Sequence, residues 1–456
     1  MQDMAVGHSL VMMLIALPSY FLGMALGYFG SGILISANEH TYSVDNLVKG
    51  ITSASLVKGT LVQILVVGLV TYLAFISFKK VDVALLMKRG DSKKVRPGII
   101  EKLIDKLRIK DGYCYKLTFK NGSELLLLLV AVATFSIMFA LSMSLLASSK
   151  IILESQNQGR TYQYETVLDD YMVQKQDTDY GKYLLREDIK LFSRDETINY
   201  NLVGISDNNN GFSLLDKHGQ NLDIAIDGVV INPELVENYG IKIGDQIDVD
   251  IDGNIYPTKV EAVAANAGLK TIYINKAQMA EWLNINQGSY NMVLSQNPIN
   301  ENNVALKNQI LEVEHNQTSN KASAIINQSI GVLTGCLLIF LAVFIGLTGN
   351  TESILIFNLL GYDNKRINKI LLNPYMVFAN VIFIVTLPIC IFVARKIQTA
   401  TSLATGDYMP FSCNILAVLY MVLILNLICL LVREIFTFKI KKTVKNESQF
   451  ELLYEL

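Results

Sequence analysis

The sequence predicts an α-helical integral membrane protein with six transmembrane helices and an α+β extracellular domain. Three observations carry that prediction. The 456 residues are 51% hydrophobic and 18% charged, with a mean hydropathy of +0.35, too apolar for a soluble chain of this size. Six runs are each long enough, at about 20 residues, to cross a hydrocarbon core of about 30 Å as a helix. One long polar segment separates the third run from the fourth.

The first two spans, at about 9–35 and 56–78, form a pair within residues 1–80. The opening MQDMAVGHS is followed by apolar sequence to about Ser36, which reads as a span and not as a cleaved signal. Residues 81–122 are expected to be a basic cytoplasmic linker and elbow helix, because FKKVDVALLMKRGDSKKVRPGIIEKLIDKLRIKDGYCYKLTFK is dense in Lys and Arg. The third span lies at about 125–147, inside a segment of residues 123–149.

Alternation of sides then puts residues 150–326 outside as one segment of domain size. QIDVDIDGNIYPTKVEAV alternates about Asp252-Gly253, which predicts two strands and a tight turn. Short helices are expected at PELVENYG and KAQMAEWL, and strands at KTIYIN and YNMVLSQ. A helix and linker from NPINENNVALKNQILEVEHNQTSNKAS should lead back to the membrane.

Residues 327–436 hold the last three spans, at about 328–349, 375–394 and 414–432, and residues 437–456 form a cytoplasmic tail. Lys365, Arg366 and Lys369 place the loop after the fourth span inside, as do Arg433, Lys439, Lys441, Lys442 and Lys445 after the sixth, so both termini are cytoplasmic. Arg395 and Lys396, at the outer end of the fifth span, run against the rule and are outnumbered. Within NLLGYDNKRINKILLNP, Gly361 can end a helix in the left-handed conformation, Asp363 can cap the next one, and Pro374 stops it, leaving a short helix at about 363–372. Its cations can sit at anionic headgroups. Alternatively the helix docks a soluble partner, with Ile367, Ile370 and Leu371 as an apolar stripe.

Several chemistries are disfavoured by their spacing. The net charge of −2, with positive charge confined to particular loops, argues against nucleic acid. Asp248, Asp250, Asp252 and Gly253 open like a calcium loop, but the twelfth position is Lys259, where a bidentate Glu is needed. His8, His40, His218 and His315 are scattered, and Cys114, Cys336, Cys390, Cys413 and Cys429 stand outside the polar segment, so neither a structural metal nor a disulfide framework is expected there. No phosphate loop, GxSxG elbow or HExxH helix occurs, so ATP is not hydrolysed by this sequence alone. The span centres lack ionisable residues, which disfavours an ion-coupled transporter; Asn380 and Asn426 read as interhelical hydrogen bonders. Gly23 with Gly27, and Gly331 with Gly335, have the GxxxG spacing of close helix packing.

TESILIFNLLGYDNKRINKILLNPYMV resembles the segment of FtsX-like, MacB-superfamily (type VII) ABC transporter permeases in which a helix leaves the membrane, turns at Leu-Gly and forms a coupling helix against the ATPase. GVVINPELVENYGIKIGDQIDV resembles that family's extracellular-domain pattern, and LTFKNGSELLLLLVAVATFSIMFALSM its elbow and first span. The resemblance covers about residues 110–440 in the family's order of one span, an outside domain and three spans. It implies a permease subunit, not an enzyme, in a bacterial plasma membrane. The ATPase-coupling residues it implies are Leu359, Leu360, Gly361, Tyr362, Arg366, Ile367 and Leu371. No cofactor is expected in this chain; ATP and Mg belong to a cytoplasmic ABC ATPase dimer. Membrane lipids and a second permease copy or complementary half are the other partners implied. The first two spans exceed the four-span unit, and the further spans of larger relatives are expected from another polypeptide or replaced by dimerisation. The alternative class is a membrane-anchored receptor or scaffold that senses an extracellular ligand without ATP, and it lacks a cytoplasmic signalling domain in the sequence.

Overall fold

The structure is a computed structural model, and it describes residues 16–32, 52–79, 122–173, 181–193, 196–206, 211–223, 228–299 and 301–454, with single positions 11, 14, 35, 50 and 114 besides. The predicted basic linker and elbow, residues 81–122, lie almost wholly outside them. The chain divides into two compact units. One comprises Met1–Phe135, Ser329–Thr386 and Met421–Leu456, the other Ser136–Gln328 and Leu387–Tyr420.

The helices are α1 (16–32), α2 (Ser53–Lys79), α3 (Gly122–Asn157), α4 (Pro233–Glu237), α5 (Lys276–Trp282), α6 (Leu306–Gly349), α7 (Thr351–Leu359), α8 (Asn364–Leu371), α9 (Asn373–Thr405) and α10 (Ile415–Tyr454). Among the described residues four helices are long and apolar enough to cross a membrane: Glu124–Asn157, Leu306–Gly349, Asn364–Thr405 (α8 running into α9) and Ile415–Lys441. They take up the last four of the six expected spans. The first two are not matched in this way: the first falls partly outside the described residues, and in α2 the apolar stretch that counts is Ser53–Leu69, shorter than a span. Along α10, Leu416, Leu419, Leu423 and Leu427 are 52–69% exposed. A continuous apolar stripe of that kind is stable against lipid and unfavourable in water.

Among its described residues the polar segment has nine strands: β1 (Tyr164–Val173), β2 (Gly181–Ser193), β3 (Glu196–Ile205), β4 (Gly228–Ile231), β5 (Gln246–Ile251), β6 (Asn254–Val263), β7 (Thr271–Asn275), β8 (Ser289–Ser295) and β9 (Asn303–Ala305). Their order is β3-β7-β4-β6-β5-β2-β8-β1-β9, and β2 also pairs with β3, so six strands close on themselves and β8, β1 and β9 extend the sheet from β2. β3 with β7 and β4 with β6 are parallel; the other pairs are antiparallel.

Inside the closed part, alternate residues form one core: Ile189 and Leu191, Tyr200 and Leu202, Ile247 and Val249, Ile272 and Ile274. A second core, with Leu184, Val203, Val230, Tyr273, Met292 and Leu294, occupies the other face of the same strands. β4 and β7 are therefore buried on both faces, which is why GVVI and TIYIN read as unbroken apolar runs. The β5–β6 hairpin turns at Asp252 (φ 50°) and Gly253 (φ 91°), both in the left-handed region a two-residue type I′ turn needs. Asp250 Oδ1 accepts from Gly253 N at 2.7 Å, so the aspartate series that opens like a calcium loop closes a hairpin.

One expectation is corrected. NPINENNVALKNQILEVEHNQTSNKAS contains no linker after β9; α6 runs unbroken for 44 residues, about 66 Å at 1.5 Å per residue. Among the described residues no neighbour lies within 4 Å of a Cβ placed at Gly23 or Gly27, whereas a Cβ placed at Gly335 would stand 3.1 Å from Phe135 Cβ, so glycine there admits a close helix contact.

Candidate functional site

The hairpin between α7 and α8 is built by its sequence. Leu360 caps α7, and Gly361 follows at φ 81°, a conformation that costs an L-residue about 1–2 kcal/mol. Gly361 N donates to Asn358 O at 2.9 Å and Tyr362 N to Phe357 O at 3.0 Å, the paired bonds of a Schellman motif. The accompanying apolar contact is the Phe357–Tyr362 ring pair, with centroids 5.5 Å apart. Asp363 then caps α8, its Oδ1 accepting from Arg366 N at 2.9 Å, and that bond holds the carboxyl below its ordinary range.

The structure separates the seven residues singled out for coupling into two groups. Leu359 and Leu360 are 70% and 66% exposed, and Gly361, Tyr362 and Arg366 are also at the surface. Ile367 and Leu371 are buried at 0% and 1% exposure. The stripe read from Ile367, Ile370 and Leu371 as partner-facing is thus largely turned into the chain. The exposed apolar surface is the turn itself.

Around the hairpin's base the same unit holds a buried polar cluster. Tyr375, near the start of α9, donates its hydroxyl to Glu124 Oε2 in the first turn of α3 at 3.1 Å. Both are buried, and a Cβ at Gly346 would fall 1.7 Å from the Tyr375 hydroxyl, so glycine is what lets α6 approach there. Asn350 Nδ2 donates to Gly346 O at 2.8 Å, closing the end of α6. Deeper along the helices, Asn380 and Asn426 exchange carboxamide bonds of 3.0 and 3.1 Å between α9 and α10, the interhelical role their sequence positions indicate. Each also donates to the carbonyl four residues back.

A polar seam in the other unit ties the end of α4 to the last turns of α9 and the chain that follows them. Asn238 Nδ2 donates to Ser402 Oγ at 3.0 Å; Ser402 Oγ donates to Asp407 O at 2.6 Å and accepts from Met409 N at 3.2 Å. Gln398 Nε2 donates to Met409 O and Pro410 O at 3.2 and 3.1 Å. Burial pushes Glu237 up, opposed by Arg395, the Tyr408 hydroxyl and Phe411 N–H. Arg395, the exception to the charge rule, therefore has a local counter-charge. Burial also raises Glu234, opposed by Tyr200, Lys270 and Asn232, and its buried Oε2 meets no hydrogen-bond donor among the described residues. Sequence spacing gave no sign of this seam or of the Glu124–Tyr375 pair, since each joins residues far apart in the chain.

Among the described residues, four helices long and apolar enough to cross a membrane, a β-rich segment between the first and second in sequence, and a capped hairpin between the second and third are the features of a membrane protein that carries a polar domain. Residues 329–444, from within α6 to within α10 and including the hairpin, match the family model described as FtsX-like permease C-terminal. No curated protein matches the chain. Among solved structures, the chain is similar at 13% identity to one described as the extracellular domain of the noncanonic ABC-type transporter YknZ from Gram-positive bacteria; the match covers 30% of this chain and 83% of that one, at a TM-score of 0.21, too low to establish a common fold.

Proposed function

We propose that the chain is the permease subunit of an ABC-type transporter or mechanotransmission complex in a bacterial plasma membrane. A separate cytoplasmic ATPase dimer hydrolyses ATP, with its Mg, and seats on the α7–α8 hairpin. The motion passes through the long helices to the α+β domain, which lies outside, with both termini inside. A second permease copy or a complementary half completes the membrane part. The cargo class is peptide or lipid-like material exported or removed, or else an external factor is activated.

The observation that carries this reading is the exposed, rigidly capped turn of Leu359, Leu360, Gly361 and Tyr362 inside the permease-like segment. Two exposed leucines beside a Schellman glycine make a small apolar knob on a fixed stem, suited to a socket on a soluble partner. Lys365, Arg366 and Lys369 next to it favour the cytoplasmic side.

Affinity purification in mild detergent, followed by identification of the accompanying chains, tests the proposal. Wild type should bring down an ATP-binding chain, and Leu360→Asp should retain at most about a tenth of it while inserting into the membrane normally. Absence of any ATP-binding chain from a well-behaved wild-type complex, or undiminished recovery with Leu360→Asp, would overturn it.

A further inference from the structure

The α+β domain contains a cleft of about 170 Å³ that the hairpin and the polar seam leave unused. Its floor is the apolar face of three strands: Leu184 from β2, Val203 from β3, and Met292 and Leu294 from β8. Its rim carries Glu165, Arg186, Asn201 and Gln309.

Arg186 is the distinctive member. Asn291 anchors its backbone, with Oδ1 accepting from Arg186 N and Nδ2 donating to Arg186 O, both at 2.8 Å. The root of the side chain is fixed, yet its head is loosely held. Nη1 stands 3.8 Å from Glu165 Oε1, beyond hydrogen-bond reach, and Nη2 is 3.4 Å from Asn201 Oδ1, at the long limit. The side chain is 34% exposed. Glu165 has a firmer partner in Gln309, whose Nε2 donates to Oε2 at 3.0 Å. Arg160, also at the cleft, is differently placed: it donates to Ser155 O, Gln156 Oε1 and Asn266 O at 2.9–3.2 Å and lies 5.4 Å over the Phe212 ring. Arg160 is committed to structure, while Arg186 offers a planar fork above an apolar floor.

We propose that this cleft binds a carboxylate attached to a short apolar group, the chemistry shared by the C-terminal residue of a peptide and a free N-acyl amino acid. Arg186 clamps the carboxylate through two N–H donors. The floor of Leu184, Val203, Met292 and Leu294 takes the apolar group, and the space suits about one residue of leucine size. Glu165, 15% exposed beside Arg186, offsets much of its charge and leaves little to hold a dianion such as phosphate, so binding relies on the paired N–H donors and the apolar group. The inference does not depend on ATPase docking.

The test is titration calorimetry on the full chain in detergent micelles with four probes: N-acetyl-leucine, N-acetyl-leucinamide, N-acetyl-Ala-Ala-Leu with a free C-terminus, and inorganic phosphate. The two acids should bind saturably, with the amide and phosphate weaker by about 10-fold or more. Tighter binding of the tripeptide identifies a chain end as the source, and equal binding of the two acids identifies the free acyl amino acid. Arg186→Gln should lose the acids to the same extent, and Arg186→Lys should recover only part. Equal binding of acid and amide to wild type, no saturable binding at millimolar concentration, or unchanged affinity in a folded Arg186→Gln would overturn the proposal; the acid–amide comparison needs no variant.

Discussion

Adding one methyl group at position 346 tests the packing beneath the hairpin. In Gly346→Ala the new Cβ would stand 1.7 Å from the Tyr375 hydroxyl, 3.0 Å from Tyr375 Cζ and 2.7 Å from Glu124 Oε2, so Tyr375 must move. Moving it breaks the 3.1 Å bond to Glu124. Overpacking costs about 1–3 kcal/mol. A buried acceptor left without its donor costs about 1–3 kcal/mol more, and the two together reach roughly 2–6 kcal/mol. Tyr375→Phe removes the hydroxyl and should cost only the second part. In the Tyr375→Phe background the shortest contact is gone and the 2.7 Å approach to Glu124 Oε2 and the 3.0 Å approach to the ring remain, so Gly346→Ala should become cheaper by about 1–3 kcal/mol. Reversible unfolding of the purified protein in mixed micelles, over a range of SDS fractions, measures all four forms. A Gly346→Ala protein within about 0.5 kcal/mol of wild type, or one with the same penalty in both backgrounds, would refute the reasoning.

Two further outcomes follow from the α+β domain. Asn266 is fully buried, with Oδ1 accepting from Leu215 N at 2.7 Å and Nδ2 donating to Gln158 O and Ser213 O at 3.0 and 2.8 Å; Asn266→Ala strands these groups and should cost about 2–4 kcal/mol, read by thermal unfolding. Glu234 and Glu237 both have carboxyl groups raised by burial above their ordinary value of 4.5, so the folded state binds their protons more tightly than the unfolded state. Their contribution to stability is then fully present below about pH 4.5 and is lost as pH rises through the raised values. Hydrogen-exchange protection factors in α4 and in residues 406–411 should rise from pH 8 towards pH 5, and Glu234→Gln should reduce that rise; a protection factor that falls with acid would contradict the assignment.

The parts legible in the sequence are those set by local chemistry. The last four spans show as unbroken apolar runs, the hairpin at Asp252-Gly253 as alternation around a turn pair, and α8 as a glycine, a capping aspartate and a proline. What escaped is set by contacts across the chain. In β2, Leu184 faces one core and its neighbour Leu185 the other, so GKYLLREDIKLFS shows no clean alternation. The first half of α6 is polar enough to read as a helix and linker because its apolar positions do not form a run. Ile367 and Leu371 have the spacing of a docking stripe, yet that spacing is equally suited to packing inward, and inward is where they go. Gly346, Glu124 and Tyr375 form one cluster from three separate helices, and no spacing rule joins them.

The most direct test of the coupling hairpin places a photo-crosslinking residue at position 360, which is exposed, and separately at position 367, which is buried, in cells expressing the full complex. The account predicts an adduct with an ATP-binding chain from position 360 and none from position 367. No such adduct from position 360, with the protein inserted and stable, would contradict it.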